Sequence, residues 1–308
     1  MRYVADPVVG TVVSHYAVLA RLGRGAQGVV YLAHDLTLER EVALKFLVPS
    51  SARNDQSIAR LMCEARAAAA ATHPNNCRIH GVESTADGEL FIVMAYYAGQ
   101  TLRQRLRQGR LPIDEAISIG AGVADGLTAA HARGIVHRDV TPDNIMLTHD
   151  GVIVLDFGIA HVDGSPQPRH EGASFGTPAY MSPEQSRCDA TDARSDLWSV
   201  GVVLYEMIAG QVPFAAWSAD ATSYAVCHDR PQPLATPDAM VPAALDAIVQ
   251  RALRKKPQQR FQTALDFARA LRSVQAHGRT ARAMDRVSAP AHDSRSRWFG
   301  TLAARLPA

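Results

Sequence analysis

The apolar pattern of this chain changes period near Gly99, and that change divides the fold. From about Tyr16 to Val48 the runs "YAVLARLG", "GVVYLAHD" and "EVALKFLV" are short, apolar and β-branched, and are parted by turns containing Gly or Asp. That is the pattern of three antiparallel strands. "IARLMCEARAAAAAT" has helical spacing and stops at "HPNN", where Pro74 cannot continue a helix. "CRIHGVES" and "LFIVMAYY" flank the turn "TADGE" as a hairpin, which completes a small five-stranded antiparallel sheet with one helix. Beyond Gly99 the period is helical in "TLRQRLRQG", "PIDEAISIGAGVADGLTAAHARG", "ARSDLWSVGVVLYEMIAG", "ALDAIVQRALR" and "TALDFARALRSVQ". Short strands are expected there at "IVH", "IML" and "IVLDF", followed by a loop, "HVDGSPQPRHEGASF". The expected class is therefore α+β and bilobal, with a small lobe over 14–95, a larger, mainly helical lobe over 96–272 and a basic, flexible tail over 273–308.

The chain's 308 residues are enough for a large buried core. The net charge of +2 gives no general attraction to nucleic acid, and no nucleic-acid partner is expected. Cys63, Cys77, Cys188 and Cys227 lack the spacing of a zinc site or a disulfide framework, which suggests free thiols in a reducing compartment. No apolar run reaches the roughly 18–20 residues of a membrane span, and "MRYVADPVVG" lacks a signal-peptide core, so a cytoplasmic location is expected. The excess of Arg over Lys and the alanine-saturated "EARAAAAAT" suggest a GC-rich bacterial source.

Four stretches carry chemistry. "LGRGAQGVV" spaces Gly23, Gly25 and Gly28 between two strands, so their bare N–H groups suit a phosphate cover rather than a dinucleotide fold; a glycine turn with no ligand explains the same residues. Lys45, in "VALK", lies among apolar neighbours on a central strand, where burial is costly without a partner, and Glu64 on the next helix can supply one. An exposed lysine and a solvated acid are the plain alternative. "HRDVTPDN" then sets Asp139 and Asn144 five residues apart in a polar loop, and "LDFG" supplies Asp156 and Gly158.

The order of these motifs resembles the bacterial eukaryotic-like (Hanks-type) serine/threonine protein kinases, over about Tyr16 to Leu271. Further matches are "GTPAYMSPEQ" at 176–185, "SDLWSVGVVLYEMIAGQVPF" at 195–214 and "KKPQQRF" at 255–261. The resemblance implies ATP with Mg2+, or Mn2+ in its place, and protein substrates bearing Ser or Thr. It makes Asp139 the acceptor of the hydroxyl proton, Asn144 and Asp156 the metal ligands, and Lys45 with Glu64 the clamp on the phosphates. Leu22, Val30, Ala43 and Met146 become the apolar adenine walls with Met94 at the back, and Ala95, Tyr96 and Tyr97 the hinge. Thr177 is expected near Asp139, as in kinases specific for alcohols. Arg138 marks members ordered by loop phosphorylation, for which Ser174 and Ser165 are the candidate acceptors. Glu184 is expected to pair with Arg260, and Asp196 to hold the catalytic-loop backbone.

Three positions depart from the family pattern. Ala95 stands where Glu is usual, and Asn76 follows "HPN" where Ile is usual, which puts an amide at a site that must satisfy it. Thr141 stands where Lys contacts the γ-phosphoryl group, and Asp143 offers no replacement charge. The expectation is an active but slow, autophosphorylating kinase, with an ATP-binding pseudokinase scaffold as the alternative. The tail "SRSRWFGTLAARL" leaves open docking to a membrane surface or a protein, and relatives that dimerise back to back through the small lobe leave open a homodimer.

Overall fold

The computed structural model of the chain describes residues 8–25, 28–47, 69, 71–157, 178–234 and 241–288, with side chains as far as His277. The three leading strands form as β2 (Tyr16–Gly25), β3 (Gly28–Asp35) and β4 (Arg40–Leu47), and the hairpin as β5 (Ile79–Ser84) and β6 (Leu90–Ala95). A further strand, β1 (Val12–Val13), pairs with β2, so the small-lobe sheet has six strands rather than the expected five, in the order β1-β2-β3-β4-β6-β5. Two residues carry no alternation to read. The turn that brings them back also depends on Ser14 at φ 56°, an uncommon conformation for a residue with a Cβ.

Strand alternation gives the sheet two faces. Val42 and Leu44 join Tyr16, Tyr31, Phe91 and Val93 in the outer core, whereas Ala43 turns to the other face with Met94 and Cys77, against Ile153 of the large lobe. Lys45, two residues beyond Ala43, shares that inner face. The helix expected over 58–72 lies outside the described residues apart from helical Ala69 and the end at 71–72.

In the large lobe, β7 (Gln100–Thr101) pairs with β8 (Ile145–Thr148), and β8 with β9 (Gly151–Val154), as a second small sheet. The helices are α1 (Leu102–Leu106), α2 (Ile113–His131), α3 (Pro183–Ser186), α4 (Ala193–Ala209), α5 (Ala219–His228), α6 (Ala243–Ala252) and α7 (Ala264–Ser288). Helix α4 is the hub, buried from Ser195 to Ile208. The Asp192 side chain caps its start by accepting from Arg194 N at 2.8 Å, and Gly210 at φ 79° ends it. Trp198, fully buried, stacks on Phe214 with ring centroids 5.5 Å apart. Helix α2 packs between α4 and α7, with Gly120 admitting Leu204 and Leu271. Helix α7 continues past residue 272 to Ser288.

"IVH" at 135–137 forms no strand, because its donors are engaged elsewhere. Ile135 N–H closes the end of α2 on the Ala130 carbonyl at 3.1 Å, and His137 N–H goes to the Asp196 carboxylate at 2.8 Å.

Candidate active site

The catalytic loop is held by one carboxylate. Asp196, 1% exposed on α4, accepts from His137 N and Arg138 N at 2.8 Å each, and its Oδ2 also meets His131 Nε2 at 2.8 Å. This grip holds Arg138 in the left-handed region at φ 66°, a strained conformation that costs about 1–3 kcal/mol. The loop then turns so that Asp139 follows it. Fully buried His137 accepts Asp139 N–H on Nδ1 at 3.2 Å, which leaves Nε2 to donate to the Leu155 carbonyl at 2.7 Å. The loop backbone is thereby tied to the strand that delivers Asp156.

Asn144 ends the 3-10 turn Pro142–Asn144. Its Nδ2 donates to the Asp139 carbonyl at 2.8 Å and to Asp139 Oδ2 at 2.9 Å, while its own carbonyl accepts from Leu155 N at 2.8 Å. Asp139, Asn144 and the start of "LDFG" therefore form one hydrogen-bonded unit. Asp156 is a second strained residue, at φ 54°, and its Oδ1 lies 2.9 Å from Lys45 Nζ. Lys45 is 5% exposed, so the sequence expectation that it needs a partner is met by Asp156. Glu64, the partner expected from the helix, lies outside the described residues, as do Gly158, Ser165, Ser174 and Thr177.

Above this unit the inner face of the small lobe forms an apolar wall. Ala43, Met94, Cys77 and Ile153 are buried together, and Val30, Tyr97, Met146 and Leu155 pack on them. Of the expected adenine walls, Val30, Ala43, Met94 and Met146 are gathered here, whereas Leu22 on β2 is 47% exposed and outside the cluster. Tyr96 is half-buried beside Tyr97, whose hydroxyl accepts Arg78 N–H at 3.1 Å. A cleft between the lobes is lined by Lys45, Ile79, Ile92, Asp156 and Phe157 as well as Cys77 and Met94. Ile79 and Ile92 were not singled out from the sequence, nor Cys77 beyond its thiol; the alternation of "CRIHGVES" and "LFIVMAYY" was the available signal.

The glycine hairpin joins β2 to β3, with Gly23 opposite Val30 and Gly25 opposite Gly28. Space around Gly23 and Gly25 is open, but a Cβ on Gly28 would fall 1.8 Å from the Phe46 carbonyl oxygen. Gly28 is therefore required by the close approach of β4, apart from any ligand.

Two ion clusters brace the large lobe, one of them reaching the loop at Asp143. Arg260 Nη1 and Nη2 each meet a Glu184 oxygen at 2.7 Å, and Ser195 Oγ donates to the same carboxylate at 2.7 Å. Arg103 on α1 binds Asp143 at 3.2 Å, Glu206 at 2.8 Å and the Tyr180 hydroxyl at 2.5 Å. Thr141 is 7% exposed between buried Val140 and Pro142. Arg103 had no signal in the sequence, because its partners are 40, 77 and 103 residues away.

The sequence matches the family described as "Protein kinase domain" over residues 16–273. It is 38% identical over 282 residues to the serine/threonine-protein kinase pkn3 of Myxococcus xanthus, which covers 87% of this chain and 52% of that protein. It is 40% identical over 252 residues to the serine/threonine-protein kinase PknB of Mycobacterium leprae, with 80% and 40% covered. The chain thus spans about half or less of the length of these relatives. The crystal structure of the M. tuberculosis PknI kinase domain matches it with a TM-score of 0.71 at 30% identity, over 88% of this chain and 100% of that one. The chain belongs to the protein kinase domain family, in its bacterial Hanks-type branch, whose relatives above are named serine/threonine-protein kinases.

Proposed function

We propose that this chain transfers the γ-phosphoryl group of ATP to serine and threonine hydroxyls of proteins, its own included, at a rate held down by Thr141. The observation that carries the reading is the shared unit of Asp139, Asn144, Asp156 and Lys45, with Asn144 Nδ2 2.9 Å from Asp139 Oδ2 and Lys45 Nζ 2.9 Å from Asp156 Oδ1.

The donor set suits a hard cation. With its nitrogen committed to Asp139, Asn144 retains an amide oxygen, and Asp156 adds a carboxylate. An ion such as Mg2+, which keeps several waters and binds phosphate as well, needs no more protein ligands than these. Mn2+ suits the same oxygens. The metal bound with ATP supplies electrostatic stabilisation of the charge that develops on the transferring phosphoryl group. Asp139, oriented by the Asn144 amide, accepts the proton of the substrate hydroxyl as the oxygen attacks. Lys45 holds phosphate oxygens, and the apolar wall of Ala43, Met94 and Met146 excludes water from the adenine side. Thr141 puts a neutral hydroxyl where the family has an ammonium, and the loss of one such contact slows transfer by about 100- to 1000-fold.

Phosphorylation of Ser174 or Ser165, bridged by Arg138, is proposed as the regulatory step, to be checked by mapping phosphosites after incubation with Mg·ATP. The basic stretch "SRSRWFGTLAARL", outside the described residues, is proposed as a docking element for a membrane surface or a protein; vesicle flotation with and without residues after Ser288 tests the first. Thr141 also favours a second reading, an ATP-binding scaffold without transfer. The test of both is transfer of labelled γ-phosphate to a basic protein by wild type and by Asp139→Asn. Transfer abolished by the substitution supports the kinase, and ATP binding with no transfer supports the scaffold.

A further inference from the structure

Just before β5 the chain lies along α2, where Gly122 and Gly126 stand one turn apart. A methyl group on Gly126 would fall 2.3 Å from Asn76 Oδ1 and 3.1 Å from the Asn75 carbonyl oxygen. The missing side chain makes room for an amide. Asn76, 5% exposed, uses its Nδ2 twice, donating to the Ala71 carbonyl at 3.2 Å and to the Gly126 carbonyl at 3.0 Å. Its Oδ1 is buried with no hydrogen-bond partner. Turning the amide over would set that oxygen against two carbonyl oxygens, so the acceptors fix its orientation. An orphaned acceptor destabilises the fold, and an apolar residue of similar size would avoid the cost, so filling space does not account for this side chain. What Asn76 adds is a tie between two carbonyls, one at the end of the small-lobe segment and one on a large-lobe helix.

The same stretch is laced to β9. Asn75 Nδ2 donates to the Val152 carbonyl at 2.8 Å, Val154 N to the Asn75 carbonyl at 2.7 Å, and Cys77 N to the Val154 carbonyl at 2.8 Å. Two residues beyond Val154 is Asp156, with Lys45 on its carboxylate. A shift of residues 75–77 against α2 therefore moves the strand that sets Asp156.

We propose that Asn76 is a positioning residue for phosphoryl transfer: its amide clasps the chain at Ala71 to α2 at Gly126 and so fixes, through β9, the placement of Asp156 relative to Lys45 and Asp139. The proposal rests on the kinase reading above. Because the clasp itself joins Ala71 to Gly126, neither of which lines the adenine side, loosening it acts on the chemical step more than on ATP binding, and misplacement of a reacting group is enough to slow that step.

The test compares kcat and KM for ATP in wild type, Asn76→Ala, Gly126→Ala and the double variant, with Asp139→Asn as the blank. All are measured at a temperature where circular dichroism shows every variant folded. Asn76→Ala is expected to lower kcat about tenfold with KM for ATP within about twofold, and Gly126→Ala, which pushes on the same amide, to do likewise. The double variant should be no worse than the poorer single one, since both break one clasp. An unchanged kcat in folded Asn76→Ala, even with a lowered melting temperature, would overturn the proposal, as would multiplicative losses in the double variant. If Asn76→Ala does not fold, Asn76→Ser is judged by the same criteria. Wild type that transfers nothing above the blank refutes the kinase reading itself, an outcome distinct from an active wild type whose kcat ignores Asn76.

Discussion

Arg260 and Glu184 form a two-point ion pair in the floor of the large lobe, with both N–O distances at 2.7 Å and exposures of 1% and 4%. Arg260 also donates to the carbonyls of Arg254, Lys255 and Arg194, so one guanidinium joins the end of α6, the start of α4 and helix α3. Its removal would leave Glu184 buried with the Ser195 hydroxyl alone. Arg260→Ala is expected to destabilise the fold by about 3–5 kcal/mol, read from urea unfolding. Arg260→Lys should recover little, because an ammonium cannot span both oxygens.

The same pair predicts a pH dependence. Burial pushes the Glu184 carboxyl up, but the hydrogen bonds and charge of Arg260, with the Ser195 hydroxyl, outweigh it and hold the group below its ordinary value. A carboxyl lowered on folding stabilises at pH above its unfolded value, and that contribution is lost as pH falls through the folded one. The stability gap between wild type and Glu184→Gln should thus be full at pH 7 and narrow as pH falls below the ordinary carboxylate range, as measured by denaturant midpoints.

Gly28→Ala tests the hairpin. With a Cβ 1.8 Å from the Phe46 oxygen and φ at +145°, alanine must move β3 away from β4. Strain of about 1–3 kcal/mol falls on the hairpin proposed to cover the phosphates, so KM for ATP is expected to rise about tenfold, against little change for Gly23→Ala, where the space is open.

Thiol chemistry separates the wall of the cleft from the surface. Cys77 is pushed up to about 12 by burial, with the nearby Asp156 charge adding and Lys45 partly opposing. Cys188 is exposed. At pH 8 iodoacetamide should label Cys188 within minutes and leave Cys77 unmodified until the protein is unfolded, as read by peptide mass spectrometry. Labelling of Cys77 in the native protein would show that the wall opens to solvent.

Much of this arrangement could be read from the residues, and what could not has identifiable causes. Lys45 was legible because a cation two positions from Ala43 on a central strand must find an anion, and Asp156 is one such partner, while Glu64 lies outside the described residues. Asp139 and Asn144 were legible because their contact spans five residues. β1 was not, since a two-residue strand has no period, and "IVH" misled because Ile135 N–H closes on Ala130 and His137 N–H answers to Asp196, 59 residues away. The fate of the Asn76 amide depended on the absence of a side chain at Gly126, a match between segments 50 residues apart that local pattern does not carry.

Thr141→Lys addresses rate. Restoring the ammonium beside the γ-phosphoryl group should raise kcat by about 100-fold, with KM for ATP little changed, in a steady-state assay with a basic protein as acceptor. No gain would mean that the buried Thr141 site, 7% exposed, cannot direct a cation to the reacting phosphate.

The most direct measurement is transfer of labelled γ-phosphate from Mg·ATP to protein serine or threonine by wild type and by Asp139→Asn at equal concentration. Phosphoserine and phosphothreonine are expected with wild type and their loss with Asp139→Asn, while ATP binding persists in both. Binding of ATP without transfer by wild type, or transfer that survives in Asp139→Asn, would contradict the kinase reading.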